Sequence, residues 1–172
     1  MSDEPGFQLM SVGLADEGGL AQVRTLFSEY AAALSVDLCF QDFDRELAEL
    51  PGEYGGTAGV LLLALVDGEP AGCVALRPLP DADYPNACEM KRLFVRRAFR
   101  RFGLGRQLAQ ELMDRALQAG YSTMLLDTLD AMEAAREMYA SLGFEEIPPY
   151  YFNPIPGAHY LKAELDSLGT RW

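Results

Sequence analysis

Between a predicted strand and a predicted helix the chain reads Val95-Arg96-Arg97-Ala98-Phe99-Arg100-Arg101-Phe102-Gly103-Leu104-Gly105-Arg106. No Ser, Thr, Asp or Asn stands at the start of the helix, so its first backbone N–H groups lack a side-chain partner. Such N–H groups, together with the helix dipole and nearby arginines, favour binding of a phosphate. Gly103 and Gly105 allow the backbone to approach the anion closely. The stretch therefore predicts an anion site at the strand-to-helix junction.

Positive charge is concentrated around the same stretch. The chain has 172 residues and a formal net charge of −12, yet positions 91–106 hold seven of its fourteen Lys and Arg residues and no Asp or Glu. This basic segment carries +7, which leaves −19 on the rest of the chain. The segment predicts a site for a small, multiply charged anion, and a solvated basic loop is the alternative. The acidic total argues against nucleic-acid and membrane partners.

Length and composition predict one domain over residues 1–172. The longest apolar run, 60–66, is too short to span a bilayer, and the acidic start of the sequence lacks a signal-peptide pattern, so a cytoplasmic location is predicted. There are three cysteines without a Cys-x-x-Cys pair and a single histidine, His159. These counts predict no metal site, and they argue against Ser-His and Cys-His chemistry.

Hydrophobic periodicity and turn signals predict a mixed α/β sheet. Strands are predicted at 7–14, 60–66, 71–76, 88–95, 123–128, 144–147 and 158–165. Helices are predicted at 16–34, 41–50, 104–119 and 132–142, and Asp16 is a candidate cap for the first. Along the strand at 88–95, the apolar residues change face between Met90 and Leu93. This change predicts a β-bulge at 91–92, and a strand buried on both faces is the alternative.

Two known phosphate-binding motifs do not fit the glycine stretch. A dinucleotide fingerprint needs a third glycine where Leu108 stands, and a P-loop needs a Gly-Lys-Ser/Thr sequence that is absent. Another pattern, Gln/Arg-x-x-Gly-x-Gly/Ala, is met by Arg100, Gly103 and Gly105. About 30 residues downstream the chain approximates a second pattern, Asn-x-x-Ala-x-x-x-Tyr followed by Gly-Phe. It supplies Ala135, Tyr139, Gly143 and Phe144, but Met132 at the Asn position.

With these two patterns in order, the chain resembles the GCN5-related N-acetyltransferase (GNAT) superfamily. The resemblance implies a mostly antiparallel sheet of six to seven strands flanked by about four helices. It also implies acetyl-CoA as co-substrate, with transfer of the acetyl group to a primary amine of a small molecule or peptide, directly in a ternary complex. The implied cofactor-binding residues are Leu93, Phe94, Val95, Arg100, Arg101, Phe102, Gly103, Leu104, Gly105 and Arg106.

The resemblance and the chemistry of acetyl transfer suggest two catalytic residues. Tyr139 is at the family's usual position for the acid that protonates the leaving thiolate, and a core tyrosine is the alternative. Glu89 lies on the strand that would line the cleft and is a candidate base for the amine proton. The alternative for Glu89 is an exposed strand carboxylate paired with Lys91 or Arg92.

The segment 149–157 is rich in Tyr and Pro, and in a fold of this family it would lie beside the acceptor groove. Tyr150, Tyr151 and Asn153 are therefore candidate substrate-binding residues, and a packed connector is the alternative. A non-enzymatic acyl-CoA-binding or sensing module on the same fold competes with the enzyme hypothesis. The oligomeric state stays open, with a homodimer as one option.

Overall fold

A seven-stranded sheet organises the chain in the computed structural model, which describes residues 6–13, 16–34, 42–129 and 132–165. Its strands are β1 (Phe7–Ser11), β2 (Val60–Val66), β3 (Glu69–Pro78), β4 (Ala87–Val95), β5 (Thr123–Leu129), β6 (Glu145–Ile147) and β7 (Ala158–Glu164). The strand order is β1-β2-β3-β4-β5-β7-β6. The β4–β5 pair is parallel, and the other neighbouring strands are antiparallel. The predicted mostly antiparallel α/β sheet is confirmed.

Four α-helices flank the sheet. They are α1 (Glu17–Leu34), α2 (Phe43–Glu49), α3 (Leu104–Gln118) and α4 (Glu133–Ser141), with short 3-10 segments at Gly52–Tyr54 and Arg97–Phe102. Asp16 caps α1 as predicted, because its Oδ1 accepts a hydrogen bond of 2.9 Å from the Gly19 N–H. The first strand ends at Ser11 rather than at position 14, which lies outside the described residues. Strand β3 is longer than predicted because the hairpin ladder continues to Glu69.

The core has two apolar layers, one on each face of the sheet. Leu62 of β2 belongs to the cluster that includes Leu108 of α3, whereas its neighbour Leu63 belongs to the cluster with Phe27 of α1. Both faces of the central strands are thus buried, which explains why β2 is a continuous apolar run. Burial of each such leucine contributes about 1.5–3 kcal/mol.

Strand β4 contains the predicted bulge. Arg92 and Leu93 together lie opposite the single β3 residue Val74, and Arg92 has a φ of 62°, in the left-handed region. A bulge changes the direction of the side chains that follow it. Because of it, Arg92 is buried on the α2 side of the sheet and not exposed at its edge.

Strands β4 and β5 separate toward their carboxyl ends. They pair over three positions, from Ala87 with Thr123 to Glu89 with Leu125, although β4 continues to Val95 and β5 to Leu129. Two of the cavities lie along the gap that opens between these strands. Ligand sites of parallel strands are commonly found at such carboxyl ends.

Candidate active site

An open cleft, which we call the cofactor-side cleft, begins where β4 and β5 separate. It is lined by Leu93, Phe94 and Val95 on β4 and by residues of α1 and α4, and its far end carries Arg100 and Gly105. Most of the lining side chains are apolar. The cleft therefore suits an elongated ligand with an apolar arm and an anionic end.

The N-terminus of α3 lies at the end of this cleft that carries Arg100 and Gly105. The helix begins after Gly103, whose φ is 71°, and no side chain caps it. The Gln107 N–H donates to the Gly103 carbonyl at 3.2 Å, so the N–H groups of Leu104, Gly105 and Arg106 precede the first turn of helical hydrogen bonds. The predicted uncapped helix start is confirmed.

The basic segment does not form one surface, which corrects the prediction of a single +7 site. Lys91 and Arg92 are 9% and 3% exposed, and Arg92 donates two hydrogen bonds to Glu46, of 2.9 and 3.0 Å. Arg96 pairs with Glu29 of α1 at 2.7 Å. The bulge and strand geometry of β4 direct Arg92 toward α2 and Arg96 toward α1, where each has an acidic partner.

Three other cations of the segment lie near the start of α3. Arg97, Arg100 and Arg106 are exposed. The Arg100 Nε donates to the Val95 carbonyl at 2.9 Å, and Arg106 donates to the Ser141 hydroxyl on α4. Arg101 and Phe102 complete the 3-10 segment before Gly103. The cationic part of the anion site is thus smaller than the sequence count indicated.

A second space, the inner cavity, adjoins the cofactor-side cleft. Five residues line both: Tyr30, Leu34, Leu93, Leu129 and Met132. Tyr139 of α4 lines the inner cavity, is 6% exposed, and packs its ring edge-on against Phe144 with 5.6 Å between the ring centroids. Burial raises the pKa of Tyr139 above its usual value, so this phenol keeps its proton at neutral pH.

Glu89 is a buried member of an ion pair. It is 1% exposed; its Oε1 accepts a hydrogen bond of 2.7 Å from Arg77 Nε, and its Oε2 accepts one of 2.6 Å from the Tyr150 hydroxyl. The alternative of an exposed carboxylate paired with Lys91 or Arg92 is therefore wrong, because Arg77 lies opposite Glu89 in the β3–β4 ladder.

Glu89 and Tyr139 do not line the same cavity. Glu89 lines a third space, the side pocket, together with Arg77, Tyr150 and Tyr151. Lys91 borders both the side pocket and the inner cavity. Burial lowers the pKa of Lys91, and the nearby Glu89 carboxylate opposes that shift. The side pocket and the inner cavity therefore share Lys91 as a lining residue.

Asp127 is a site residue that the sequence analysis missed. It lies on β5 and lines the inner cavity with Tyr139. Its Oδ2 accepts hydrogen bonds from the Tyr151 hydroxyl and from the Asn153 amide, the latter at 3.0 Å. Its negative charge contributes to the raised pKa of Tyr139. The available signal was that Asp127 is the one charged residue in the stretch 123–129.

The aromatic loop at 149–157 packs against the sheet and also reaches the carboxylates. The rings of Tyr150, Tyr151 and Tyr160 form a cluster with centroids 5.4–5.6 Å apart, and the Tyr160 hydroxyl donates to the Tyr151 carbonyl at 2.9 Å. The three predicted substrate residues of this loop therefore lie beside Glu89 and Asp127.

The described ranges contain neither a cluster of metal-ligand side chains nor a membrane-spanning helix. No group of three or more His, Cys, Asp or Glu side chains there is arranged to hold a metal ion. None of the described helices has both the length and the apolar character needed to cross a membrane. His159 lies on β7 and contacts Glu146.

Comparison with known proteins points to one family. Residues 21–144 match the sequence profile of the Acetyltransferase (GNAT) family. An uncharacterized N-acetyltransferase of Schizosaccharomyces pombe is 41% identical over 147 residues, which cover 85% of this chain and 88% of that protein. An acetyltransferase structure from Streptococcus agalactiae has a TM-score of 0.74 at 21% identity and covers 92% of this chain and 98% of its own.

A further solved structure has a nucleotide ligand. It is a putative acetyltransferase of Salmonella typhimurium described with its cofactor acetyl-CoA, and it has a TM-score of 0.68 at 20% identity. The match covers 94% of this chain and 95% of that one. At this identity, the likeness is one of fold.

Proposed function

Because the chain belongs to the GNAT family of acetyltransferases and is an acyltransferase that uses acetyl-CoA, we propose that it acetylates a primary amine of a small molecule or peptide. We propose direct transfer between the two substrates in a ternary complex. The observation that carries this proposal is the inner cavity, which adjoins the cofactor-side cleft and shares Lys91 with the side pocket. A donor bound in the cleft and an acceptor bound in the pocket would meet there.

The cofactor-side cleft is our proposed site for acetyl-CoA. The free N–H groups at the start of α3 and the exposed Arg100 supply donors for the pyrophosphate, and Gly105 leaves room beside them. The apolar walls next to Leu93 suit the pantetheine arm. In this arrangement the thioester would lie near Leu93, which borders both the cleft and the inner cavity.

The proposed chemistry begins with a neutral amine. Its nitrogen lone pair forms the new bond to the thioester carbonyl carbon, and the carbonyl π pair moves to oxygen. Collapse of this tetrahedral species restores the carbonyl and breaks the carbon–sulfur bond, with the bonding pair going to sulfur. Tyr139 gives its proton to that sulfur.

The amine must lose a proton in the same reaction, and two carboxylates are candidate acceptors. Both oxygens of Glu89 are engaged, one in an ion pair with Arg77. Asp127 is held through Oδ2 by neutral donors and lines the inner cavity together with Tyr139. We therefore assign proton acceptance to Asp127 and treat Glu89, the residue suggested by the sequence, as the second candidate.

An acetyl-CoA consumption screen tests the proposal. Amino acids, polyamines, aminoglycosides and peptides with free N-termini are offered as acceptors, and release of the CoA thiol is followed. We expect turnover with at least one amine class and initial-rate patterns that intersect, as a ternary complex requires. Parallel patterns, or an acetylated enzyme isolated without acceptor, would contradict direct transfer. The cytoplasmic location and the homodimer stay predictions.

Binding of the donor can be measured without an acceptor. By calorimetry we expect acetyl-CoA to bind far more tightly than NAD or ATP, because the site lacks the third glycine of a dinucleotide fingerprint and the lysine of a P-loop. Equal or tighter binding of NAD would overturn the assignment of the cleft.

A further inference from the structure

Tyr30 lies at the junction of the two spaces where donor and acceptor would meet. It belongs to α1, on the opposite side of the cavity system from α4, and lines both the cofactor-side cleft and the inner cavity. Its ring packs edge-on against Phe94 with 6.3 Å between centroids. Leu93, beside which we place the thioester, borders the same two spaces.

Arg92 lies next to the Tyr30 ring. The Arg92 side chain is 2% exposed and is fixed by its double hydrogen bond to Glu46 of α2. Its guanidinium lies 5.7 Å from the centroid of the Tyr30 ring. Burial raises the pKa of Tyr30, and the positive charge of Arg92 partly offsets that rise.

The left-handed backbone of Arg92 adds to this observation. A non-glycine residue with a φ of 62° is held there at an energetic cost, and such residues concentrate at functional sites. Here the unusual conformation belongs to the bulge that brings the guanidinium to Tyr30 and Glu46. The bulge therefore holds the buried Arg92 guanidinium next to Tyr30.

We propose that the Tyr30 hydroxyl, with Arg92 next to its ring, donates a hydrogen bond to the acetyl carbonyl oxygen and stabilises the negative charge that forms on it. The inference rests on the proposed function, because it takes the thioester to lie beside Leu93. The proton stays on Tyr30 throughout the reaction. The amine proton goes to Asp127, and the proton for sulfur comes from Tyr139. Passage of the proton from Asp127 to the Tyr139 phenolate across the inner cavity, which both residues line, then restores the two groups.

This proposal gives the two cavity tyrosines different tasks. Tyr30 has the Arg92 guanidinium 5.7 Å from its ring centroid, and this positive charge favours donation of the O–H proton to a developing oxyanion. For Tyr139, burial is the main cause of the raised pKa, and the Asp127 carboxylate adds to it. Tyr139 therefore keeps its proton until the carbon–sulfur bond breaks, when its O–H group is available to the departing sulfur.

Kinetics of Tyr30→Phe give the first test. We expect kcat to fall on the order of 100-fold, the scale for loss of one oxyanion donor, with the KM for acetyl-CoA within about twofold of wild type. The matched control is Tyr54→Phe. Tyr54 is also buried and also contacts Glu46, but it lines neither the inner cavity nor the cofactor-side cleft, so its kcat should stay near wild type.

A binding measurement tests the same contact without turnover and without an altered fold. Site-specific 3-fluorotyrosine at position 30 is observed by fluorine NMR while acetyl-CoA or S-ethyl-CoA, which lacks the carbonyl oxygen, is added. We expect a resonance shift with acetyl-CoA that S-ethyl-CoA does not reproduce, and no such difference for 3-fluorotyrosine at position 54.

The outcomes separate this inference from the proposed function. Equal shifts with both thioether and thioester, or an unchanged kcat in Tyr30→Phe, would overturn the role of Tyr30 and leave the acetyltransferase assignment intact. Failure of acetyl-CoA to bind at all would overturn the proposed donor site, and the role of Tyr30 would fail with it.

Discussion

The guanidinium of Arg77 and the carboxylate of Glu89 form an ion pair across β3 and β4, with 2.7 Å between Nε and Oε1. Glu89 is almost wholly buried, whereas Arg77 is about one-third exposed and also pairs with the exposed Glu53 at 2.9 Å. The Tyr150 hydroxyl donates a hydrogen bond to the second carboxylate oxygen of Glu89. Glu89 thus joins the sheet to the aromatic loop, and its charge has a structural use apart from any role in catalysis.

Replacing Glu89 with Gln should destabilise the fold. Loss of the carboxylate leaves the partly buried Arg77 with one exposed partner, so we expect the free energy of unfolding to fall by about 1–3 kcal/mol. Urea unfolding measures this change. The control is Glu53→Gln, which removes the exposed partner of the same guanidinium and should cost less than about 1 kcal/mol. Equal losses in the two variants would contradict a structural role for Glu89.

Asp127→Asn should impair turnover most at low pH. If Asp127 accepts the amine proton, its loss matters less as the pH rises, because more of the acceptor amine is already neutral in solution. Rates measured with an identified acceptor across pH should show the mutant approaching wild type on the alkaline side. Glu89→Gln should instead show a loss that does not depend on pH. If the loss in Glu89→Gln shrank at high pH and the loss in Asp127→Asn did not, Glu89 would be the base.

Tyr139→Phe should reduce turnover by about 100-fold or more while leaving the fold and the acetyl-CoA affinity unchanged. The ring that packs on Phe144 is kept, and only the hydroxyl is lost. Because burial places the pKa of Tyr139 above the ordinary value of 10.0, the loss should persist across the whole range up to that pH.

A second tyrosine provides the control for that prediction. The Tyr121 hydroxyl donates to the Ala58 carbonyl at 2.6 Å, and Tyr121 lines neither the inner cavity nor the cofactor-side cleft, so Tyr121→Phe should leave turnover unchanged. Unchanged turnover in Tyr139→Phe would show that Tyr139 has only a packing role and that water protonates the thiolate.

Gly105→Val should weaken acetyl-CoA binding by about tenfold or more, which corresponds to at least about 1.4 kcal/mol. The fold should tolerate the change, because a Cβ at Gly105 would lie 3.8 Å from Met138 Sδ and valine is a better helix residue than glycine. Calorimetry with acetyl-CoA measures the loss. Gln107→Val introduces the same side chain at an exposed position of α3 and should not change affinity. If Gly105→Val bound acetyl-CoA normally, the assignment of the phosphates to the start of α3 would be wrong.

Much of the fold follows from local sequence. Strand β2 was predicted with its observed bounds because an uninterrupted apolar run followed by Asp67-Gly68 defines both the strand and its hairpin turn. The uncapped start of α3 was also predictable, since it depends on residue types within a few positions. The bulge in β4 was visible as a change of face in the apolar pattern.

The polar pairing of the site was less predictable because it depends on strand register and separation. Arg77 meets Glu89 only through the β3–β4 register, and adjacent cations in sequence suggested Lys91 or Arg92 instead. Asp127 becomes a cavity residue because β5 separates from β4 after Leu125. No local sequence pattern predicts where β4 and β5 separate.

Strand β7 is inserted between β5 and β6, so the last described strand completes an interior position of the sheet. Strand β6 pairs with β7, and the aromatic loop that reaches Glu89 and Asp127 packs on Tyr160 of β7. During synthesis on the ribosome, β1 to β5 emerge before this strand. The cleft beside α3, whose lining also includes α4, does not depend on β7, whereas the acceptor side forms only after β7 has taken its place.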